Sequence, residues 1–150
     1  MIILKIEIKI DTEYEEPHIT ICTAKLTPTI QAAISLLQQE NEEQILTGMA
    51  NNKTYIIDPN SIIVIRTEGR ELALYDEDDH RLILSKPLYE LEQLLGNNFI
   101  RISKSAIINL SKIKNIEASF NGTMEIELVL GIKEVISRNY RKQFKKRLGV

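Results

Sequence analysis

Residues 99–109 have the sequence Phe-Ile-Arg-Ile-Ser-Lys-Ser-Ala-Ile-Ile-Asn. Its two ends, 99–102 and 106–109, are rich in isoleucine, a β-branched residue that favours strands. The polar triplet Ser-Lys-Ser separates them. The pattern therefore predicts two strands joined by a short loop that is able to enter a groove.

Three polar side chains of this stretch are left over once its apolar residues are assigned to a core. They are Lys104, Ser105 and Asn109. An asparagine amide can make two hydrogen bonds to adenine in the major groove, and a lysine can reach a phosphate or a guanine. The alternative for Asn109 is an amide that caps a turn.

Short strands are also predicted on both sides of this stretch. They cover 45–49, 53–58, 62–66, 71–75 and 81–84 before it, and 113–119, 123–130 and 133–136 after it. Turn residues separate them, and Asn121-Gly122 is a strong hairpin signal. A short helix is predicted over 87–95, with Gly96 as its C-cap. Residues 44–150 are thus predicted to form a mainly β (α+β) domain.

A basic helix is predicted at the end of the chain, over Arg138–Leu148 with Ser137 as N-cap. Its apolar residues are Tyr140, Phe144 and Leu148, spaced by four, which places them on one inward face. Its outer face carries Arg141, Lys142, Lys145, Lys146 and Arg147. The free N–H groups at Ser137 and Arg138 favour a phosphate site. The alternatives are a solvated basic face and, for Arg138, a surface ion pair.

The N-terminal residues 1–43 form a separate β-β-α element in the prediction. Strands are expected at 2–10, where apolar and charged residues alternate, and at 18–23. Thr27 is the expected N-cap of a helix that has Pro28 at its first position. The apolar face of this helix consists of Ile30, Ala33, Ile34 and Leu37. We expect this element to extend the sheet, to form a homodimer surface or to receive a partner.

The charge of the chain is distributed unevenly, although the net charge is only −2. Residues 97–150 contain eleven Lys and Arg against four Asp and Glu, whereas the first 96 residues contain eight against seventeen. Such a chain can present a basic surface to a polyanion. The sequence predicts no membrane span and no signal peptide, and the single Cys22 fits a reducing compartment. We therefore expect a cytoplasmic protein.

The sequence predicts no catalytic or metal-binding pattern. His18 and His80 have no metal-ligand spacing, and no glycine-rich phosphate loop precedes a helix. Asp76–His80 lacks the glycine and closing glutamate of a calcium loop, so we interpret it as a hydrophilic hairpin tip. We expect no enzyme activity and no cofactor.

Together these segments resemble the DNA-binding domain of the LytTR type (the LytR/AlgR family), a bacterial family of transcription regulators. Residues 99–109 are similar to its motif Phe-x-Arg-[Val/Ile]-[His/Ser]-[Lys/Arg]-Ser-aromatic-[Ile/Leu]-[Ile/Val]-Asn, except that Ala106 replaces the aromatic residue. Residues 135–140, Val-Ile-Ser-Arg-Asn-Tyr, resemble its second block, and 85–92 resemble the helix before the motif. The likeness covers about 105 residues, from Gln44 to the end.

The resemblance implies an elongated, mostly antiparallel β fold that binds double-stranded DNA through loops in successive major grooves. It implies base contacts by Asn109 and Arg138, and by Arg70 on an earlier hairpin. It also implies backbone contacts by Lys104 and Ser105. The helix analysis adds Ser137, Arg141, Lys142 and Lys145 as backbone contacts.

The resemblance also bears on regulation and partners. About 43 residues precede the matching region, too few for a receiver domain, so we expect a stand-alone regulator. Such regulators bind promoter repeats, with homodimers expected on two half-sites, and are often restrained by a small membrane protein. The alternative function is a protein-interaction module or antagonist that uses the acidic N-terminal region.

Overall fold

A computed structural model describes residues 4–38, 45–118 and 121–150 of the chain. The chain divides into two compact units, Met1–Glu42 and Glu43–Val150. This division lies one residue from the boundary predicted between 43 and 44. None of the α-helices in the described ranges combines the length and the apolar character that crossing a membrane requires.

In residues 4–38, the described part of the first unit, there is one regular element, the helix α1 (Pro28–Gln38). Its predicted start is confirmed, because the Ile30 N–H donates to Thr27 Oγ1 at 3.3 Å and Pro28 is the first helical residue. The structure differs from the prediction before this helix. Among the described residues of 4–10 and 18–23, no strand is formed.

The apolar residues of the first unit are largely exposed. Between 63% and 95% of the surface of Leu4, Ile6, Ile8 and Ile10 is accessible. No described residue of α1 is buried either, and of its predicted core face only Ile30 and Ile34 are partly covered. Two strands without a packed layer above them are marginal in water, which explains why alternation alone did not produce a hairpin.

The second unit, as far as its residues are described, contains ten strands and two α-helices. The strands are β1 (Leu46–Ala50), β2 (Lys53–Ile57), β3 (Ile62–Glu68), β4 (Glu71–Asp76), β5 (Arg81–Leu84), β6 (Phe99–Ser103), β7 (Ala106–Asn109), β8 (Ile113–Ala118), β9 (Met124–Leu128) and β10 (Lys133–Ile136). The helices are α2 (Leu88–Leu94) and α3 (Arg141–Leu148). These bounds agree with the predicted ones to within two residues, apart from the start of α3, which follows a 3-10 turn at Arg138–Tyr140.

The strands form two antiparallel sheets. The large sheet has seven strands in the order β2-β1-β5-β4-β3-β7-β6, and the small sheet has three in the order β10-β9-β8. Hairpins join most neighbours, and the β1–β2 turn has Asn51 and Asn52 at φ 51° and 61°. Positive φ at both central residues is the requirement of a type I′ turn, which matches the twist of paired strands. The predicted mainly β architecture is confirmed.

Two apolar cores cover the two faces of the large sheet. The α3-side core fills the space toward the small sheet and includes Val64, Ile102, Ile126, Ile136 and Phe144. The α2-side core lies on the opposite face and includes Ile65, Leu74, Leu82, Leu91 and Ile107. Because side chains of a strand alternate between faces, β3 and β7 contribute to both cores. The ends of these two strands therefore have fixed positions, and they carry the loops of interest.

Candidate nucleic-acid interface

Two turns that carry predicted DNA contacts are neighbours at one end of the large sheet. The β3–β4 turn consists of Gly69 and Arg70, between the paired residues Glu68 and Glu71. The Thr67 N–H donates to the Ser105 carbonyl at 2.8 Å, which joins this hairpin to the β6–β7 turn. Arg70 and the Lys104–Ser105 pair therefore lie in adjacent loops.

A third segment reaches the same end from the small sheet. The Ser137 N–H, just after β10, donates to the Ile102 carbonyl at 2.9 Å, and Ile102 lies in β6 just before the β6–β7 turn. We call the three segments Gly69–Arg70, Lys104–Ser105 and Ser137–Arg138 the three-loop end. Residues that are up to 69 positions apart in the chain are thus brought to one place.

Three long cationic side chains are exposed at the three-loop end. They belong to Arg70, Lys104 and Arg138. Within the described ranges, none of their charged groups has an ion-pair or hydrogen-bond partner. Arg138 therefore forms no surface ion pair with any described residue, although such a pair was the alternative role considered for it. Such groups are available to a phosphate or to a base edge.

Arg101 braces the β6–β7 turn from within, a role that sequence reasoning missed. Its Nε donates to the Ser103 carbonyl at 2.8 Å and its Nη2 donates to the Lys104 carbonyl at 2.6 Å. Its Nη1 donates to Glu92 of α2 at 3.0 Å. The motif includes this arginine, so the signal was present. What could not be inferred was that the guanidinium turns toward the carbonyls of its own loop.

Asn109 lies at the other end of β7, in a different environment from the one predicted. It is 2% exposed. Its amide nitrogen donates to the Ile62 carbonyl at 2.9 Å, and its oxygen accepts from the N–H and hydroxyl of Ser111 at 3.0 and 2.8 Å. Asn109 therefore caps a turn, the 3-10 turn Leu110–Lys112, which is the alternative role that the sequence left open for it. This geometry does not support a base contact by Asn109.

Ser137 and Arg141 are placed differently from the simple helix-terminus prediction. The Ser137 side chain makes no capping hydrogen bond, and the backbone N–H of Ser137 donates to the Ile102 carbonyl. Arg141 is half-buried beside Gly122 of the β8–β9 loop, and its Nε is buried without a partner in the described residues. A phosphate would therefore meet the side chains here rather than a row of free N–H groups.

The basic helix α3 is anchored as predicted. Phe144 is fully buried, and Tyr140 and Leu148 pack against the same α3-side core. Lys142, Lys145 and Lys146 are exposed on the outer side. Arg147 donates to the Asn97 carbonyl, which ties the helix to the start of β6. The helix presents a row of positive charge on a fixed support.

An ion-pair network lies behind the β3–β4 turn. The Glu68 carboxylate accepts from the Tyr75 hydroxyl at 2.8 Å, from Arg81 Nε at 3.0 Å and from Arg66 Nε at 3.3 Å. The Tyr75 hydroxyl and the two arginines hold the pKa of Glu68 below its ordinary value, against the opposing effect of partial burial.

Arg66 continues the network to the small sheet. Its Nη1 donates to Glu134 Oε1 of β10 at 2.7 Å, and its guanidinium lies 4.7 Å from the centre of the Tyr75 ring. Burial acts to lower the pKa of Arg66, but the interactions with Glu134 and Tyr75 outweigh it and raise the pKa. Arg66 therefore stays charged.

The opposite end of β4 carries the acidic β4–β5 turn. The Asp76 carboxylate accepts from the N–H groups of Asp78 and His80 at 3.0 and 2.9 Å, and it lies 3.0 Å from His80 Nδ1. These contacts fold the turn and confirm the predicted hairpin tip. The buried Asp76 and the exposed Asp78 and His80 bring carboxylate oxygens and a ring nitrogen within 4.8 Å of one another, an arrangement that the contacts within the turn account for.

Comparisons with a family model and with solved structures both match this chain to the LytTr DNA-binding domain. The model of the LytTr DNA-binding domain matches residues 52–149. A LytTr DNA-binding domain from Bacillus cereus has the same fold, with a TM-score of 0.66 and 22% identity over 71% of this chain and 97% of that one.

Two curated relatives match over most of the chain. An uncharacterised HTH-type transcriptional regulator of Staphylococcus aureus NCTC 8325 is 27% identical over 98% of this chain and 99% of its own length. The sensory transduction protein LytT of Enterococcus faecalis V583 is 28% identical over 91% of this chain, which spans only 57% of that protein. In the described ranges of this chain, strands separate the α-helices from one another, so no helix-turn-helix pair is formed there.

The family model covers about two thirds of the chain, and its region contains every strand from β2 to β10, α2, α3 and the whole three-loop end. This chain therefore belongs to the LytTR family of DNA-binding domains.

Proposed function

We propose that this protein is a DNA-binding transcription regulator that recognises specific sequences in the major groove with its three-loop end. One observation carries the proposal. Three exposed cationic side chains on three separate segments converge through the backbone contacts Thr67–Ser105 and Ser137–Ile102. Loops from different strands can contact base edges in the groove and also the phosphates beside it. A single basic helix binds mainly the phosphates of the DNA backbone, which provides affinity without sequence preference.

Arg138 and Arg70 are the proposed base contacts. Each guanidinium is exposed, and arginine binds the O6 and N7 atoms of guanine through two parallel hydrogen bonds. The turn at Gly69–Arg70 suits this role, because Gly69 has a φ of +63° and so permits a tight hairpin that projects its second residue.

Lys104 is the long side chain that the β6–β7 turn offers to DNA. With Asn109 buried at the far end of β7, recognition by this turn has to come from Lys104 and Ser105. A lysine reaches a phosphate or a guanine, so Lys104 contacts the backbone or an adjacent base. Ser105 adds a hydroxyl to the same contact.

The remaining contacts are made with the DNA backbone. Lys142 and Lys145 on the exposed side of α3 neutralise phosphates, and the Ser137 hydroxyl and Arg141 add contacts at the start of the helix. These contacts orient the domain without distinguishing sequences. The near full-length likeness to a staphylococcal transcriptional regulator supports a regulatory role, which is exercised in the cytoplasm.

The proposal includes a homodimer on promoter repeats and restraint by a small membrane protein. A dimer that binds two half-sites requires repeats separated by about one helical turn or a multiple of it. The first unit, with its exposed isoleucines, is the proposed surface for the second copy or for the partner.

The test is an in vitro selection from random duplex DNA with the full chain, followed by gel-shift titration of the enriched duplex and a shuffled duplex. We expect Arg138→Ala and Arg70→Ala to reduce the preference for the enriched duplex by about 1–3 kcal/mol each. Lys104→Ala is compared with Lys53→Ala, a matched change on the edge strand β2 at the other side of the large sheet.

Lys53→Ala is expected to bind like the wild type, and Lys104→Ala to bind more weakly. If the wild-type chain enriches no sequence, the regulator proposal fails, and the interaction module that uses the acidic N-terminal region becomes the better explanation. If Lys53→Ala and Lys104→Ala weaken binding equally, the three-loop end is not the contact surface.

A further inference from the structure

Carboxylates occur beside a surface that is proposed to contact phosphates. Three of them belong to Glu68, Glu71 and Glu134. Acidic groups near a phosphate reduce affinity for every DNA sequence, so their presence requires a compensating effect. Two of the three are joined through a single residue, Arg66, whose guanidinium contacts Glu68 at 3.3 Å and Glu134 at 2.7 Å.

We propose that this Glu68–Arg66–Glu134 bridge is a positioning device that holds the β3–β4 turn and the Ser137–Arg138 segment in fixed register, and that sequence discrimination depends on it. The inference rests on the proposed function, since it assumes that both segments contact DNA.

The bridge joins the two sheets close to both segments. Glu68 is the residue before the Gly69–Arg70 turn, and Glu134 lies on β10 four positions before Arg138. Arg66 and Glu68 are on the face of β3 that also carries Val64 of the α3-side core. The bridge is thus the polar continuation of that core toward the three-loop end.

The partial burial of the bridge makes it more than a surface ion pair. The side chains of Glu134, Glu68 and Arg66 are 15%, 28% and 31% exposed. Exposed pairs contribute little, because water competes and long side chains lose entropy. Here Tyr75 restricts both partners, as its hydroxyl donates to Glu68 and its ring lies under Arg66.

Directional bonds and apolar packing constrain the two sheets differently. Apolar side chains fill the α3-side core without a strong directional preference, so this packing sets the distance between the two sheets more than the direction of their loops. A guanidinium held between two carboxylates fixes direction as well as distance. Base recognition by paired hydrogen bonds needs such fixed geometry, whereas phosphate contact tolerates a shift.

If the carboxylates act through their charge, their removal should raise the affinity for the enriched duplex. If they act by positioning the loops, their removal should lower it. Glu68→Gln and Glu134→Gln each remove one negative charge. If the carboxylates act by charge alone, both variants bind every duplex more tightly. If the bridge positions the loops, the variants bind the enriched duplex more weakly, while binding to the shuffled duplex is unchanged or slightly tighter.

The experiment measures gel-shift titrations of the full chain on the enriched and the shuffled duplex. We expect the ratio of the two affinities to fall by about fivefold or more in Glu134→Gln and Glu68→Gln, the loss that corresponds to one weakened base contact. Arg66→Lys, which keeps the charge and loses the planar fork, should behave in the same way. The matched control is Glu125→Gln on β9, an exposed carboxylate outside the bridge.

The outcomes separate the possible failures. If the wild type discriminates and the bridge variants discriminate equally well, the positioning inference is overturned and the proposed function stands. If the wild type does not discriminate, the proposed function itself fails. Unfolding lowers the affinity for both duplexes together, and thermal denaturation measures it. If Glu134→Gln does not fold, Glu68→Gln at the edge of the bridge decides the question.

Discussion

The side-chain amide of Asn109 donates to the carbonyl of Ile62 at 2.9 Å, and this contact ties the end of β7 to the start of β3. The two residues are 47 positions apart. The same amide accepts two hydrogen bonds from Ser111 on its oxygen. Asn109 therefore closes one end of the large sheet, while Lys104 lies at the other end of the same hairpin.

Replacement of Asn109 is expected to change stability rather than sequence preference. Asn109→Asp keeps the oxygen that accepts from Ser111 but loses the donor to the buried Ile62 carbonyl, which should lower the free energy of unfolding by about 1–3 kcal/mol. Urea denaturation measures this loss. Gel shifts at a protein concentration corrected for the folded fraction should show normal discrimination. A stable Asn109→Asp protein that no longer discriminates sequences would return Asn109 to the base-contact role.

The lysines of α3 are expected to act on all sequences alike. Lys142→Ala and Lys145→Ala should weaken binding to the enriched and the shuffled duplex by similar factors. Each should reduce the slope of log affinity against log salt by about one, because one phosphate contact is lost. Titrations at several salt concentrations provide the slope. A change in preference between the two duplexes would assign these lysines to base recognition instead.

Gly48 is expected to tolerate no side chain. A Cβ at this position of β1 would lie 2.9 Å from Leu82 Cβ and 3.1 Å from Ile57 Cδ1, both in the α2-side core. Gly48→Ala should therefore destabilise the domain by about 1–3 kcal/mol through overpacking. Thr47→Ala, one residue away on the exposed face, is the control and should stay within about 0.5 kcal/mol of the wild type. Equal effects in the two variants would mean that the backbone there relaxes freely.

Glu68 is expected to make stability depend on acid pH. Its pKa is lower in the folded chain than its ordinary value of 4.5. The unfolded chain therefore binds more protons as the pH falls, and the stabilisation by Glu68 is complete above about pH 4.5 and lost below it. Urea midpoints between about pH 6 and pH 3 measure this loss.

Tyr75→Phe serves as the test of this pH dependence. The variant removes the hydroxyl that is the main cause of the lowered pKa of Glu68, so its urea midpoint should fall less steeply with acid. Tyr89→Phe is the matched control, since Tyr89 is 62% exposed on α2. An identical acid dependence in Tyr75→Phe and the wild type would contradict the role of this hydroxyl.

The strands of the second unit were predictable because each has local evidence in the sequence. Alternating β-branched residues, together with turn residues such as Asn51-Asn52 and Gly69, define where each strand begins and ends. The same alternation failed at 4–10. The sequence shows that one face of this segment is apolar, but it does not show whether a second layer is present to cover it.

The candidate site was predictable in its residues and less so in its geometry. Arg70, Lys104 and Arg138 were identified from the resemblance, and the structure brings their segments together. Asn109 was assigned as a base contact because its residue type suits adenine. Its burial depends on the 3-10 turn that follows β7 and on the distant Ile62 carbonyl. The Arg66 bridge joins residues 68 positions apart, and no local pattern reveals such a contact.

The acidic β4–β5 turn and the three-loop end lie at opposite ends of the central strands. The seven residues of β3 separate them by about 20 Å, with Asp78, Asp79 and the Lys112-paired Glu77 at one end and the exposed Arg70, Lys104 and Arg138 at the other. This arrangement gives the domain an electric dipole parallel to those strands. If the three-loop end contacts DNA as proposed, the field of a duplex turns this end toward the helix before any contact forms. Encounters at low ionic strength are then already oriented for binding.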